Sequence, residues 1–473
     1  MNKVVNSAVV VAGLVCMLGR AVSWGDTKPT INDFSDGNDN TAGGTGALQQ
    51  NTQGAGNTAF GATALAGNTT GNDNTAVGIN ALFTTSTGGG NTAVGAAALY
   101  KNTGSDNTAV GTSALLSNTT GSDNTAVGFN VLVGNTTGYL NTASGDNALS
   151  SNTTGQENTA TGAGALQSNT TAYLNTASGY NTLQFNTTGL VNTASGAAAL
   201  RFNTTGNYNT ASGAFALIGN TTGYRNTASG YQALASNTTG FVNTAEGSQA
   251  LGANTSGAYN VALGYRALYN STGSRNLALG FNAGFHLSSG DNNIYLGSTG
   301  VATEVTTMRL GSVQTRTFIV GVYNVPLSSG NFPVQVFIDK NGQLGKMPSS
   351  ARYKRDIEDM REHSQGLYRL RPVTFHYTQD PHGPRQYGLI AEEVVTVYPE
   401  LVTKGADGKV ESVQYHELIP MLLNEVQSQQ QEITELKAQA RQVEELKAQN
   451  AALAARLERL EQAATRTATA ATR

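Results

Sequence analysis

The sequence is dominated by one repeat. Asn-Thr-Ala or a close variant begins at Asn40, Asn57, Asn74, Asn91, Asn107, Asn124, Asn141, Asn158, Asn175, Asn192, Asn209, Asn226 and Asn243. Echoes occur as Asn260-Val261-Ala262, Asn276-Leu277-Ala278 and Asn293-Ile294-Tyr295. The step is seventeen residues, shortened to sixteen at two places. Seventeen residues broken by Gly or Asn every few positions cannot hold a helix pair. They fit one coil of a solenoid, read here as two short strands and two tight turns. Glycine permits positive backbone angles at the corners and asparagine tolerates them. Small Ala and Ser residues leave only a narrow interior. A recurring leucine (Leu65, Leu82, Leu99, Leu115, Leu149, Leu166, Leu183, Leu200, Leu217, Leu234) stacks into an apolar ladder. No coil buries its own face, so stability comes from neighbouring coils or neighbouring chains. About sixteen coils at roughly 4.8 Å each predict a rod of some 75 Å over residues 38–300.

Composition separates this array from the C-terminal part of the chain. Glycine is abundant (56 residues) and charged residues make up only 12%. Inside the array those charges are single and scattered, whereas from Ser349 onward they are dense. A net charge of -3, with no basic stripe, excludes electrostatic steering toward nucleic acid. The array also has too few carboxylates to place a glycosidase acid/base pair.

The Asn and Thr rows admit three readings: a sugar-binding face, N-glycosylation at sites such as Asn68 and Asn118, or turn and ladder hydrogen bonds between coils. The last already explains the spacing. Calcium at Asp73, Asp106 or Asp123 lacks the Gly-Gly-x-Gly-x-Asp pattern that such coils use. The Asn-Thr-Ala-Val-Gly-x-x-Ala-Leu unit resembles the head repeats of trimeric autotransporter adhesins, which form β-rolls packed as trimers. The unit length differs and the outer-membrane barrel of that family is missing, so the resemblance implies a fibrous, trimeric shaft rather than adhesion.

Residues 301–348 form a bridge in which the repeat dissolves, with Met308-Arg309-Leu310-Gly311 as a last echo. Two β-rich runs, 317–323 and 334–339, and a hairpin turn at Asp339-Lys340-Asn341-Gly342 predict a small β cap. The next domain, residues 349–431, is α+β. Strands are expected at 370–377 and 386–391, and a short helix at 392–397. Residues 416–460 predict a long helix. Leu422, Val426, Ile433, Leu436, Ala440, Val443, Leu446, Asn450, Leu453, Leu457 and Leu460 keep a three-four spacing with one slip. That is a coiled coil with a stammer and a polar register marker at Asn450. Residues 461–473 read as a polar, disordered tail.

Three runs in this domain occur in order: Ser349-Ser350-Ala351-Arg352-Tyr353-Lys354-Arg355-Asp356-Ile357, Tyr387-Gly388-Leu389-Ile390-Ala391-Glu392-Glu393-Val394 and Val413-Gln414-Tyr415-His416-Glu417-Leu418. Together they resemble the endosialidase-type intramolecular chaperone domain that ends phage tail spikes and tail fibres. The resemblance implies a homotrimer, guided folding of the upstream fibre, and self-cleavage just before a serine. On this chain the serine is Ser349, its lysine partner Lys354, the scissile bond Pro348-Ser349, and Arg352 an orienting or charge-stabilising residue. The enzyme, if the chain is one, is a single-turnover serine endopeptidase with a Ser-Lys dyad, in which the lysine takes the hydroxyl proton. Without the surrounding motifs, a Ser and a Lys five apart read equally as a solvated linker. The five histidines show no metal-ligand spacing, and no cofactor or metal is expected. Glu392 and Glu393, adjacent on a helix, point apart and make no carboxylate pair.

The N-terminus reads as a secretory signal over residues 1–23. Lys3 precedes an apolar stretch from Val4 to Leu18 and small residues at Ala21-Val22-Ser23. It is too short for the roughly 20 residues of a membrane span. Cys16, the only cysteine, lies within it, so a processed chain forms no disulfide. These expectations describe a secreted or cell-surface, tail-fibre-like protein whose C-terminal domain is an assembly chaperone that cuts before Ser349. The alternative is an uncleaved trimeric adhesin that meets a host or glycan surface through the array.

Overall fold

In the computed structural model, the structure describes residues 38–319, 335–339, 342–405 and 407–470. The segment read as a signal peptide lies outside them. The chain divides into two units, residues 1–320 and 321–473.

The first unit is a β-solenoid. Seventeen three-residue strands, from Thr41–Gly43 to Met308–Leu310, form one parallel sheet. Equivalent residues pair in register, as Thr142 with Thr159 and Ala143 with Ala160. The echo at Met308–Leu310 is the last strand, paired with Ile294–Leu296. Each coil contributes one strand rather than the two expected. The remainder is a chain of turns that hydrogen-bond to the coils above and below.

Those turns explain the difference. The recurring leucines are fully buried, as expected, but they sit in the left-handed region: Leu149 has φ +52° and Leu166 φ +51°. A non-glycine residue resists that conformation by roughly 1–2 kcal/mol. Two gains offset this at every coil. Full burial of a leucine contributes about 1.5–3 kcal/mol, and the left-handed turn aims the Leu149 amide at the Ala165 carbonyl of the next coil, 3.0 Å away. The neighbouring glycine column serves close approach. At Gly145, φ +127°, a Cβ would lie 2.6 Å from the Gly162 carbonyl carbon.

Two columns of asparagine run through the interior beside the leucines. In the first, Asn141 donates to Asn124 Oδ1 from both its backbone N (3.0 Å) and its Nδ2 (3.1 Å), and Nδ2 also donates to the Gly155 carbonyl (2.9 Å). In the second, Asn152 Nδ2 donates to Asn135 Oδ1 (2.7 Å) and to the same Gly155 carbonyl (2.9 Å). The two ladders are thus cross-linked within each coil. Both columns are buried, Asn68 and Asn118 included. This overturns the sugar-face reading of the asparagine rows and leaves no accessible glycosylation amide at those two sites.

The second ladder is broken where the sequence lacks asparagine. Thr85 and Ser271 occupy ladder positions. One coil earlier, Asn68 Oδ1 and Asn254 Oδ1 are buried with no partner, as are Thr85 Oγ1 and Ser271 Oγ. Beyond Ser271 the interior is rebuilt. Gly284 takes the leucine position, Leu287 the amide position, and Tyr295 the alanine position, fully buried. A Cβ at Gly284 would lie 2.8 Å from the Tyr295 ring, so the glycine makes room for it. Burial and the nearby Glu304 carboxylate push the Tyr295 phenol upward in pKa, and Glu304 is paired with Arg309 at 2.8 Å.

The second unit has a small core of Val394, Tyr398, Leu401, Val413, Leu418 and Met421. Around it lie the antiparallel pairs Phe337–Ile338 with Leu344–Gly345, Val373–Phe375 with Gln386–Gly388, and Val402–Lys404 with Val410–Val413. Of the first β-rich run in the bridge, residues 317–319 form no strand and the rest lies outside the described residues. In the expected hairpin turn, the Gly342 amide donates to the Asp339 carbonyl at 2.9 Å. A short helix, Ala391–Val394, matches the one expected, and a helix of 56 residues, Tyr415–Ala470, closes the chain. It continues through residues read as a disordered tail, where Ala463 and Ala464 supply strong helix propensity.

The broken ladder gives a direct test. Thr85→Asn should bond Asn68 Oδ1 and stabilise the array by about 1 kcal/mol, seen as roughly five-fold slower amide exchange around residues 68–102. Asn152→Ala, which orphans its neighbours, should accelerate exchange in the flanking coils. An unchanged or faster-exchanging Thr85→Asn variant would show that the amide column does not set local stability.

Candidate self-processing and assembly site

The segment from Pro348 to Ile357 is exposed throughout. Ser350 is extended (φ -66°, ψ 142°) and precedes a single 3-10 turn, Ala351–Tyr353. The turn is closed by the Tyr353 amide on the Ser350 carbonyl and the Lys354 amide on the Ala351 carbonyl, both 3.0 Å. Its geometry folds the lysine back over the serine, so that Lys354 Nζ lies 3.5 Å from Ser349 Oγ. The guanidinium of Arg352 lies over the Tyr353 ring, 4.7 Å from its centroid. A serine and a lysine five residues apart are therefore neighbours in space, and the Pro348-Ser349 bond is beside them.

Burial or a neighbouring cation is what turns a lysine into a base. In the single chain Lys354 is in water, and nothing from its own fold covers it. Other bulky side chains of this unit are exposed too: Tyr353 and Ile357 on the same segment, and Tyr377 and Tyr387 on the Val373–Gly388 hairpin.

What holds the rest of the domain is a polar network that sequence reasoning missed. The 3-10 segment Arg361–Arg369 places Ser364, fully buried, against the long helix. The Ser364 hydroxyl donates to Glu425 Oε1, and Asn424 Nδ2 donates to Ser364 Oγ (2.7 Å) and to the Arg361 carbonyl (2.8 Å). Tyr398 OH donates to the His363 carbonyl at 3.0 Å, and burial raises the Tyr398 phenol. Glu393 forms a two-bond pair with Arg371, whose guanidinium lowers the carboxyl's pKa. Its neighbour Glu392 has no part in that pair. One signal for the network was present. Leu418, Met421 and Glu425 share one helix face, so a glutamate stands where the pattern calls for an apolar residue.

The apolar stripe of the long helix has no cover within its own chain. Leu422, Val426, Ile433, Leu446, Leu453 and Leu460 are 44–61% exposed. Among the described residues no helix is long and apolar enough to cross a membrane. Nor do any three His, Cys, Asp or Glu side chains cluster as a metal site among them.

Removing the Ser364 hydroxyl takes one donor from the buried Glu425 and leaves it the Tyr368 hydroxyl. Ser364→Ala should destabilise the C-terminal unit by roughly 1–3 kcal/mol, read as a lowered urea midpoint of its helix signal. A midpoint equal to wild type would assign the network no structural weight.

Searches of curated proteins and of solved structures find no match for this chain. Residues 349–403, which hold the Ser349–Lys354 turn, the 3-10 segment and the Val373–Gly388 hairpin, match the family model described as Chaperone of endosialidase.

Proposed function

We propose that this is an exported, tail-fibre-like protein in which the solenoid is the working shaft. The C-terminal domain is its intramolecular trimerisation chaperone, and cleavage before Ser349 releases the matured shaft. The observation that carries the reading is the chaperone-type segment, matched at residues 349–403, C-terminal in sequence to a solenoid of about sixteen coils. The uncovered stripe of the long helix supports it, since three parallel copies would bury those leucines against each other as a coiled coil. Tethering three shafts at one end replaces a costly three-body encounter with a local one.

The exposure of Lys354 orders the events. Trimerisation comes first, and it covers the Ser349–Lys354 turn with neighbouring chains. Lys354, once desolvated, takes the hydroxyl proton of Ser349. Oγ then attacks the Pro348 carbonyl carbon, the Pro348-Ser349 amide becomes an ester, and water hydrolyses the ester to a Pro348 carboxylate and a free Ser349 amine. Arg352 offers a cation to the oxyanion once it swings from Tyr353.

Intact mass of the expressed chain, beside Ser349→Ala, Lys354→Ala and Leu446→Asp, tests this. Expected are two fragments meeting at Pro348/Ser349 in the wild type and none in the first two variants. Leu446→Asp should be both monomeric by sedimentation and uncut. Cleavage in a monomer would refute the order of events. An uncut trimer would leave a permanently attached assembly domain, and an uncut monomer would refute both roles.

A further inference from the structure

The coils turn a corner just before the ladder asparagine, and the residue there is left-handed throughout, with φ between +53° and +61° for the non-glycine residues from Asp106 to Asn292. The solenoid imposes the corner on unlike residues: the Arg225 amide donates to the Asn207 carbonyl one coil before, as the Val191 amide does to the Tyr173 carbonyl. The turn therefore does not choose the side chain, and the order of side chains along it is uneven. Acids stand at Asp106, Asp123 and Glu157, and arginines at Arg225 and Arg275. Between and beside them stand Leu140, Leu174, Val191 and Val242, which are 36–52% exposed in a conformation that branched side chains resist. Among the described residues none of the five charged groups is ion-paired. Each arginine instead rests over the tyrosine one coil before, Arg225 over Tyr208 and Arg275 over Tyr259, both 5.9 Å from the ring centroid. Strain of this kind on an exposed edge points to a function outside the local fold.

We infer that this edge binds a second copy of the chain running in the opposite direction. Counted in corners, Val191 is a midpoint: Glu157 lies two coils before it and Arg225 two after, Asp106 five before and Arg275 five after. An antiparallel copy related by a two-fold axis at Val191 sets Glu157 against Arg225 and Asp106 against Arg275, and each pair occurs twice. The same axis sets Val191 on Val191, Leu174 on Tyr208 and Leu140 on Val242. It also gives the remaining carboxylate, Asp123, the Tyr259 hydroxyl as donor. Such an axis keeps each column facing itself, so the residues just before the corners pair by the same rule: Leu190 on Leu190, Tyr139 on Phe241, Gln156 on Tyr224. Other registers do worse. A parallel copy in register sets Glu157 on Glu157 and Arg225 on Arg225. An antiparallel copy centred on Leu174 pairs the arginines with Asp123 and Asp73, but it sets Glu157 against Val191 and Asp106 against Val242, which desolvates two carboxylates without partners.

Size and charge decide how strong this contact is. The paired stretch runs from Gly90 to Asn292, about 60 Å at roughly 4.8 Å per coil. A strip about 10 Å wide buries on the order of 600 Å² on each copy and about 1,200 Å² in all, the lower limit for a specific interface. The contact is therefore weak, and salt weakens it further. Chains joined at one end by their C-terminal domains run in one direction, so an antiparallel contact joins shafts of separate assemblies. It goes beyond the function proposed above and does not depend on it.

The test uses the full chain in a Cys16→Ser background. Glu157→Cys and Arg225→Cys chains, purified separately and then mixed, should form disulfide-linked pairs on oxidation at least ten-fold faster than either chain alone. Like cysteines lie roughly 19 Å apart across this contact, too far to bridge. By sedimentation, Arg225→Glu should weaken the association of wild-type shafts at least ten-fold, and adding Glu157→Arg should restore it. The corner already carries both glutamate and arginine, so these variants keep the coil. Glu157→Cys alone linking as fast as the mixture would mean copies in register and overturn the inference. A mixture no faster than Ser151→Cys, which lies on another corner, would overturn it too, as would a charge swap that fails to recover. Cleavage fragments and the Leu446→Asp monomer are separate readouts, so the proposed function stands or falls independently of these results.

Discussion

The buried amide is the constraint on which the solenoid depends. All but a few coils carry two asparagines into a narrow, buried interior. Their nitrogens and oxygens find partners only in the coil before and the coil after, at a spacing that a parallel, in-register stack supplies. An unsatisfied buried amide is destabilising by about 1–3 kcal/mol, so a coil displaced by one residue would lose several bonds together. The ladder therefore fixes register as well as contributing stability, and it does so in a chain whose strands are only three residues long. Leucine burial supplies the apolar part. Thr85 and Ser271 show the rule through its breaches, since each leaves an orphaned oxygen on the asparagine one coil earlier.

The period, the small interior and the leucine ladder were all legible in the sequence, because each is a statement about spacing. Two things were not. Propensity does not place a leucine at positive φ, so a reading of two strands per coil did not foresee the corner at Leu149 and its equivalents. Whether Asn118 faces water or the interior is equally invisible to spacing, since a turn asparagine and a ladder asparagine recur with the same step. In the C-terminal domain, the proximity of Ser349 and Lys354 follows from their separation once a single 3-10 turn is placed between them. The Ser364, Asn424 and Glu425 network joins residues some sixty positions apart, and only the glutamate on an apolar face hinted at it.

The two units solve the problem of stability differently. The array satisfies itself coil by coil. The C-terminal unit has a small core and leaves long stretches of apolar surface open, from Ile357 to the leucines of its helix. A unit with so small a core and so much open apolar surface is suited to burying that surface against other molecules.

The rebuilt end of the solenoid has a consequence of another kind. Gly284, Leu287 and Tyr295 form a stopper that belongs to the last coils alone, and of the repeats before it only the one holding Leu268 packs on Gly284. A gene that gains or loses whole repeats between Asn40 and Asn260 would therefore change the length of the shaft while meeting the same neighbour at every joint. The stopper sets where the stack ends, and the count of repeats sets how far it reaches. Reach can drift by recombination without any contact having to be reinvented.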